Sequence, residues 1–286
     1  MDGPLRFMLK TDLSTSIPPW IVDVILKNPP FESIQGVNNF RNFTLQSGFR
    51  KGYVYRSARL NGISELGKST MANDLGVTTI FDLRDEGEIG QIPSPVFANG
   101  ISTISLPYAT TLASLKTEDF DRNHEETRLA AFCRLYIDIT KALSPIFRLV
   151  FTHIKDRPDD PFVFHCSLGK DRTGVLAALI LLLAGSPANE IIDDYVITRA
   201  TLEPARERLL RRWGKCNGDD LSLHQMGCIE MRGAQMHVMA AFLTTFQTIY
   251  GSIDNFLTRI LEFSAADVQQ MRQNLIAAAP PAAAGH

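Results

Sequence analysis

The strongest constraint on this chain is the change of pattern between residues 162 and 184. Phe162-Val163-Phe164-His165 is a short run of aromatic and β-branched residues, which predicts a buried strand. After Thr173 the sequence is apolar on every side as far as Ala184, which predicts a helix in the centre of a domain. A polar loop with Gly169 in its middle joins the two. A buried strand followed at once by a buried helix needs a sheet covered by helices. Tyr53–Arg56, Val77–Leu83 and Ile101–Leu106 read as further strands, the last ended by Pro107. Ser64 is placed to cap a helix running to about Leu75, with Gly76 as its stop. Leu129, Phe132, Cys133, Tyr136 and Ile137, then Ile146, Phe147, Leu149 and Val150, have helical spacing. Ser144-Pro145 between them predicts two successive helices or one kinked helix. Residues 187–276 read as mostly helical. The fold class expected is α/β, with a mostly parallel central sheet and helices on both faces.

The 286 residues fit one domain of 34–276, flanked by two less regular ends. Residues 1–33 hold Pro4, Pro18, Pro19, Pro29 and Pro30 and read as an extension packed partly on the domain. Residues 277–286 are low in complexity and read as a disordered tail. Lys plus Arg is 29 and Asp plus Glu 31, a formal charge of -2, which argues against a nucleic-acid-coating protein. Cys133, Cys166, Cys216 and Cys228 form no C-x-x-C and no zinc-finger spacing. Neither a disulfide framework nor a metal is expected, and the thiols fit a reducing compartment. Met1–Trp20 lacks a basic start followed by an apolar run, so no signal peptide is expected. Val175–Ala184, the longest apolar stretch, is about half of a bilayer span. A soluble, cytoplasmic protein with no integral membrane segment is the expectation.

The loop is His165-Cys166-Ser167-Leu168-Gly169-Lys170-Asp171-Arg172-Thr173-Gly174. Cys with Arg six positions later is a weak signal alone. Its place between a strand end and a buried helix makes it specific. Backbone N–H groups from Ser167 to Arg172, with Leu168, Gly169 and Lys170 between, can converge into an anion nest. The following helix points its positive end at the same spot. Arg172 adds a planar fork for two phosphate oxygens. This positive setting favours a thiolate at Cys166, able to attack phosphorus and form a phosphocysteine. The nest and Arg172 then stabilise charge in the transition state. His165 is expected to hold the loop shape by hydrogen bonding. Thr173 is placed to donate its hydroxyl to the sulfur. Against this stands a plain buried Cys beside a helix N-terminus, which the whole ten-residue string disfavours.

The string resembles the H-C-x-x-x-x-x-R-[ST] signature of the protein tyrosine phosphatase superfamily. More narrowly it resembles the H-C-x-x-G-K-D-R-T-G loop of the fungal and bacterial tyrosine-phosphatase-like family. Asn39-Phe40-Arg41-Asn42-Phe43, Tyr55–Leu60, Gly76–Arg84 with its Asp82-Leu83-Arg84, and Tyr250-Gly251-Ser252 with Phe256-Leu257 match the same family. The resemblance spans about residues 34–276. It implies a cysteine-phosphatase-like fold and metal-free hydrolysis of phosphate monoesters, with no cofactor. It links Lys170 to inositol-phosphate substrates and offers Asp171 as general acid. It also implies a mobile helical lid over residues 199–232, which hold Arg206, Arg208, Arg211 and Arg212. A charged helix face explains those arginines equally well.

One carboxylic acid can protonate the leaving oxygen and then activate water. No W-P-D loop is present. Asp171 is the first candidate because it lies on the loop, and a salt bridge with Lys170 is its plainer role. Asp82 is second, since sites in α/β sheets gather at carboxyl ends of strands. An ion pair with Arg56, Arg59 or Arg84 is its plainer role. Asp156, Asp159 and Asp160 read as turn residues. Arg56, Arg59 and Arg84 are further candidates for positive potential at the mouth.

The leading reading is a cysteine phosphatase for phosphotyrosine, extending to phosphoserine and phosphothreonine. A phosphorylated protein is then the partner. A phosphoinositide or inositol-phosphate substrate keeps the same chemistry. A pseudo-phosphatase that only binds phosphate would commonly lack the Cys or the Arg, and both are here. Arsenate reductase and rhodanese also place a Cys on a loop but fit the G-K-D-R string less well. The oligomeric state is open.

Overall fold

The computed structural model describes residues 3–13, 15–43, 48–98, 100–106, 108, 125–206 and 233–276. Its sheet holds β1 (Arg41–Asn42), β2 (Val54–Ser57), β3 (Thr79–Asp82), β4 (Ser102–Ser105) and β5 (Phe162–His165). The spatial order is β1-β2-β5-β3-β4. β2, β5, β3 and β4 are parallel, and the edge strand β1 is antiparallel to β2. β5 is therefore central, with β2 and β3 on its flanks. Ser57, His165 and Asp82 stand side by side at the carboxyl end of the sheet.

Strand alternation divides two cores. Val54, Phe81, Phe162 and Phe164 enter the larger core, and Tyr55, Ile80 and Val163 enter the smaller one. Cys166, one residue beyond β5, belongs to the larger. That core is built by α5 (Glu125–Ala142), α6 (Ser144–Asp156), α7 (Asp171–Ala184), α8 (Ala188–Val196) and three C-terminal helices. The latter are α10 (Met236–Tyr250), α11 (Ile253–Arg259) and α12 (Ala265–Ile276). The smaller core lies under α3 (Glu65–Ser69), which Ser64 caps by accepting from Gly67 N–H at 3.1 Å. The helix expected to reach Leu75 changes to a π turn over Thr70–Asp74, ahead of Gly76 at φ +64°. The region 125–155 is two helices, with Leu143 between them.

Helix α7 is buried nearly throughout and passes into Gly185 at φ +82°, a left-handed cap. It starts at Asp171, two residues earlier than its apolar pattern indicates. Asp171 and Arg172 are thus in its first turn, where an acid also complements the helix dipole. The N-terminal residues form α1 (Gly3–Lys10) and α2 (Pro19–Leu26), neither legible in the Pro-rich sequence. They bury Met8, Ile17, Ile21 and Ile25 against Ile197 and Ala200 beside and within α9 (Thr198–Leu202). Arg199 fastens them by donating to the carbonyls of Asp12 and Thr15, both at 2.9 Å. Among the described residues no helix is long and apolar enough to cross a membrane. Most of the expected lid, residues 207–232 with Arg208, Arg211 and Arg212, lies outside the described residues, as do Cys216, Cys228 and the tail.

Candidate functional site

The loop after β5 is held from outside by its carbonyls. Leu83 N–H donates to His165 C=O at 2.8 Å, and Arg59 N–H to Ser167 C=O at 3.3 Å. His165 Nδ1 lies 3.3 Å from Cys166 C=O. Asn39 Nδ2 donates to Leu168 C=O at 3.2 Å and to Gly169 C=O at 3.0 Å. Arg56 Nη2 also donates to Gly169 C=O, at 2.8 Å. Gly174 N–H closes on Lys170 C=O at 2.7 Å. In a planar trans peptide the N–H points opposite to the C=O. Carbonyls turned toward the surrounding protein therefore turn the following N–H groups toward the loop's hollow, as anion binding requires. Gly169 sits at φ +68°, and a Cβ there would fall 2.4 Å from Ser57 O. No other residue type fits this close approach without displacing the strand end.

Beneath the loop lies a buried charge cluster. Asp194 of α8 accepts from Arg41 Nε at 3.1 Å and also pairs with Arg56 Nη1. Arg41 further donates to Asp194 C=O at 2.8 Å and Thr198 Oγ1 at 3.0 Å, and reaches Asn39 Oδ1. Burial and the neighbouring Arg56 lower Arg41 to about 9 against the pull of Asp194. Two arginines on one carboxylate leave excess positive charge directly under the loop. Arg56, a candidate for the mouth or for pairing with Asp82, instead stands below the loop and pairs with Asp194.

Arg172 is gripped by Glu88 of α4 (Glu86–Gln91). Both ends of the guanidinium meet that carboxylate, Nη2 at 2.9 Å from Oε1 and Nη1 on Oε2. Nη1 also donates to Tyr108 Oη at 2.9 Å. Ser167 Oγ donates to the same Glu88 Oε1 at 2.5 Å. Glu88 is itself pinned by a capping box: its N–H donates to Asp85 Oδ1 at 2.8 Å, and its Oε2 accepts from Asp85 N–H at 3.2 Å. Burial raises the Glu88 carboxyl, but Arg172 and Ser167 outweigh it and hold it well below the usual carboxylate range. Burial likewise opposes the charge on Arg172, while Glu88 outweighs it and holds the guanidinium firmly protonated. Among the described residues, the Nε edge of the fork has no protein acceptor.

The two candidate acids stand in different settings. Asp82 is fully buried and accepts from Arg84 Nε at 3.0 Å, Arg84 Nη2 at 2.7 Å and Ser94 Oγ at 2.6 Å. Burial raises its carboxyl, but Arg84, His165 and Ser94 bring it below its ordinary value. Arg84 is thus the ion-pair partner of Asp82, one of the alternatives its sequence offered, and of Arg56, Arg59 and Arg84 only Arg59 is exposed. The Asp171 side chain is 30% exposed. Its Oδ1 accepts from Tyr136 Oη at 2.8 Å and lies 3.3 Å from Lys170 Nζ. Lys170 is completely buried, its Nζ 5.3 Å from the Phe132 ring centroid and 3.4 Å from Gly233 C=O.

His165 and Thr173 bracket the loop. The Thr173 hydroxyl is buried and has no hydrogen-bond partner among the described residues, the sulfur included. His165 is buried, and burial lowers it against the pull of Asp82; its Nδ1 faces Cys166 C=O, and its Nε2 has no partner among the described residues. Reasoning from sequence missed Glu88, Asn39, Arg41, Asp194, Tyr136 and Tyr195. The Asp85-x-x-Glu88 capping pattern, not used in that reasoning, could have pointed to Glu88, and the Asn39–Asn42 match to Asn39 and Arg41.

Comparison with known proteins agrees with this geometry. A family model described as tyrosine phosphatase family matches residues 32–277. The triple specificity protein phosphatase PtpB of Mycobacterium tuberculosis is 26% identical over 275 residues, covering 85% of this chain and 98% of PtpB. A tyrosine-protein phosphatase of Nostoc commune is 29% identical over 228 residues, covering 77% of this chain and 73% of that protein. Among solved structures, the core catalytic domain of the PP-IP phosphatase SIW14 from S. cerevisiae is 19% identical, covers 70% of this chain and 88% of its own, and has a TM-score of 0.32. With a family match running from before β1 to the end of α12, and the Cys-to-Arg loop at its centre, the chain belongs to the tyrosine phosphatase family.

Proposed function

We propose that this protein hydrolyses phosphotyrosine monoesters, and phosphoserine and phosphothreonine ones, through a phosphocysteine at Cys166. The observation that supports this most is the loop from His165 to Lys170, where Leu83, Arg59, Asn39 and Arg56 donate from outside to the carbonyls of His165, Ser167, Leu168 and Gly169. Substrate phosphate sits among the inward N–H groups of residues 167–172. The Nε edge of Arg172 binds two of its oxygens, as a guanidinium fork does with planar oxyanion pairs. Cys166 Sγ attacks phosphorus, forming the S–P bond as the ester P–O bond breaks. Asp171 gives its proton to the leaving oxygen, then takes one from the water that cleaves S–P. Asp171 serves better than Asp82, whose carboxylate is enclosed by Arg84 and Ser94. The unpartnered Thr173 hydroxyl is available to the sulfur as thiolate departs.

Residues 34–276 make up the catalytic domain on this reading, and residues 1–33 its extension. A nucleophilic thiol must stay reduced, which suits the cytoplasm. Phosphotyrosine comes before phosphoinositides because Lys170, which the resemblance ties to inositol phosphates, is buried against Phe132 and Gly233. The test is phosphate release from phosphotyrosine, phosphoserine and phosphothreonine peptides and from soluble phosphoinositides at matched concentrations. Phosphotyrosine peptide is expected to give the largest kcat/KM. A phosphoinositide in first place would replace the protein substrate with a lipid one.

A further inference from the structure

We propose that Tyr136 and Tyr195 form a positioning pair that fixes which oxygen of Asp171 exchanges the proton. The proposal rests on the reading of Asp171 as general acid. Tyr136 of α5 donates to Asp171 Oδ1 at 2.8 Å. Its oxygen lies 2.7 Å from Tyr195 Oη of α8. Tyr136 has one proton, and it is given to Asp171. The proton between the phenols therefore comes from Tyr195, and the chain runs Tyr195 to Tyr136 to Asp171. Donors linked this way polarise one another, strengthening the last bond.

The contact is not an incidental surface one. Both tyrosines are fully buried, and their rings meet edge to face at 6.3 Å. Tyr136 also packs on Phe132 and Phe242, at 6.0 and 5.7 Å. Tyr195 lies against Gly174, where a Cβ would come within 3.1 Å of its ring. Two helices and the first turn of α7 thus set the phenols rigidly. Burial raises both phenols, so neither releases its proton to the reaction.

Lys170 Nζ approaches the same Oδ1 at 3.3 Å. Tyr136 and Lys170 together reserve that oxygen as an acceptor. A proton on Asp171 is accordingly carried by Oδ2, on the other side of the carboxyl. The tyrosines hold the plane of the group so that Oδ2 is presented to the leaving oxygen. Positioning of this kind sets how much of a general acid's effect is realised.

Tyr136→Phe alone strands the Tyr195 hydroxyl in the core, whereas the double variant Tyr136→Phe/Tyr195→Phe removes both polar groups and keeps the shape. The double variant, Asp171→Asn and wild type are compared for kcat/KM on 4-nitrophenyl phosphate, a good leaving group, and phenyl phosphate, a poor one. Thermal midpoints check the fold. Asp171→Asn is expected to lose about a hundred-fold on phenyl phosphate and far less on 4-nitrophenyl phosphate. The double variant is expected to lose about ten-fold on phenyl phosphate and under about two-fold on 4-nitrophenyl phosphate. Equal losses on both substrates, or none, would overturn the positioning role while the acid role stands on its own variant. If Asp171→Asn itself loses equally on both substrates, the acid role fails, and the pair's role with it.

Discussion

Glu88 and Arg172 form a two-point pair across the site, one carboxylate oxygen on each terminal nitrogen of the guanidinium. The pair fixes the plane of the guanidinium beside the loop. The same carboxylate also takes the Ser167 hydroxyl and the Asp85 N–H, so loop, arginine and α4 meet at one group.

Replacing Glu88 with Gln is expected to lower kcat/KM on a phosphotyrosine peptide by about ten- to a hundred-fold, because a misaimed fork loses orientation as well as charge. The variant also carries a pH signature. A carboxyl whose folded value lies below its ordinary 4.5 stabilises the fold above that pH and loses the contribution as pH falls through and below it. Thermal midpoints from pH 7 to pH 3 should fall less steeply for Glu88→Gln than for wild type. Parallel curves would mean that the pair does not hold the fold together.

Gly169→Ala places a Cβ against the Ser57 carbonyl and the Ala58 nitrogen, at 2.4 and 2.8 Å, from a backbone at φ +68°. The left-handed conformation alone costs about 1 kcal/mol for alanine. The close approach forces the loop away from β2. A loss of about a hundred-fold in kcat/KM is expected, with weakened binding of inorganic phosphate by calorimetry. Unchanged phosphate affinity would show that the nest does not need this close approach.

Asp194→Ala removes the single carboxylate that Arg41 and Arg56 share. Uncompensated buried charges of this kind cost about 3–5 kcal/mol. Arg41, already lowered by burial and by Arg56, loses the partner that opposes both. A matching drop in urea-unfolding free energy is expected. A change under about 1 kcal/mol would mean that water reaches the cluster and screens it.

What could be read from sequence follows from distance along the chain. The loop from His165 to Thr173 is contiguous, so its strand, turn and helix dipole are all local, and its chemistry was legible. Phe162–His165 was legible as a strand because all four residues are buried. The partners that give the loop its shape come from afar. Glu88 is 84 positions from Arg172, and Asn39 is 130 from Gly169. Tyr136 shows only helical spacing, and nothing in that spacing separates a core ring from one that also holds Asp171. Arg56 and Arg84 read either as mouth charges or as ion-pair partners of Asp82, because spacing does not say which carboxylate a guanidinium meets. In the fold, Asp82 and Asp194 draw them into the interior. The two-residue strand β1 was too short for any periodicity to reveal.

The central claim is that phosphate transfer passes through the sulfur of Cys166. Its most direct test is phosphate release from a phosphotyrosine peptide by wild type and by Cys166→Ser, with peptide binding measured on both. Turnover by wild type, none by Cys166→Ser, and retained binding by the variant are predicted. Turnover by Cys166→Ser at the wild-type rate would contradict the covalent route.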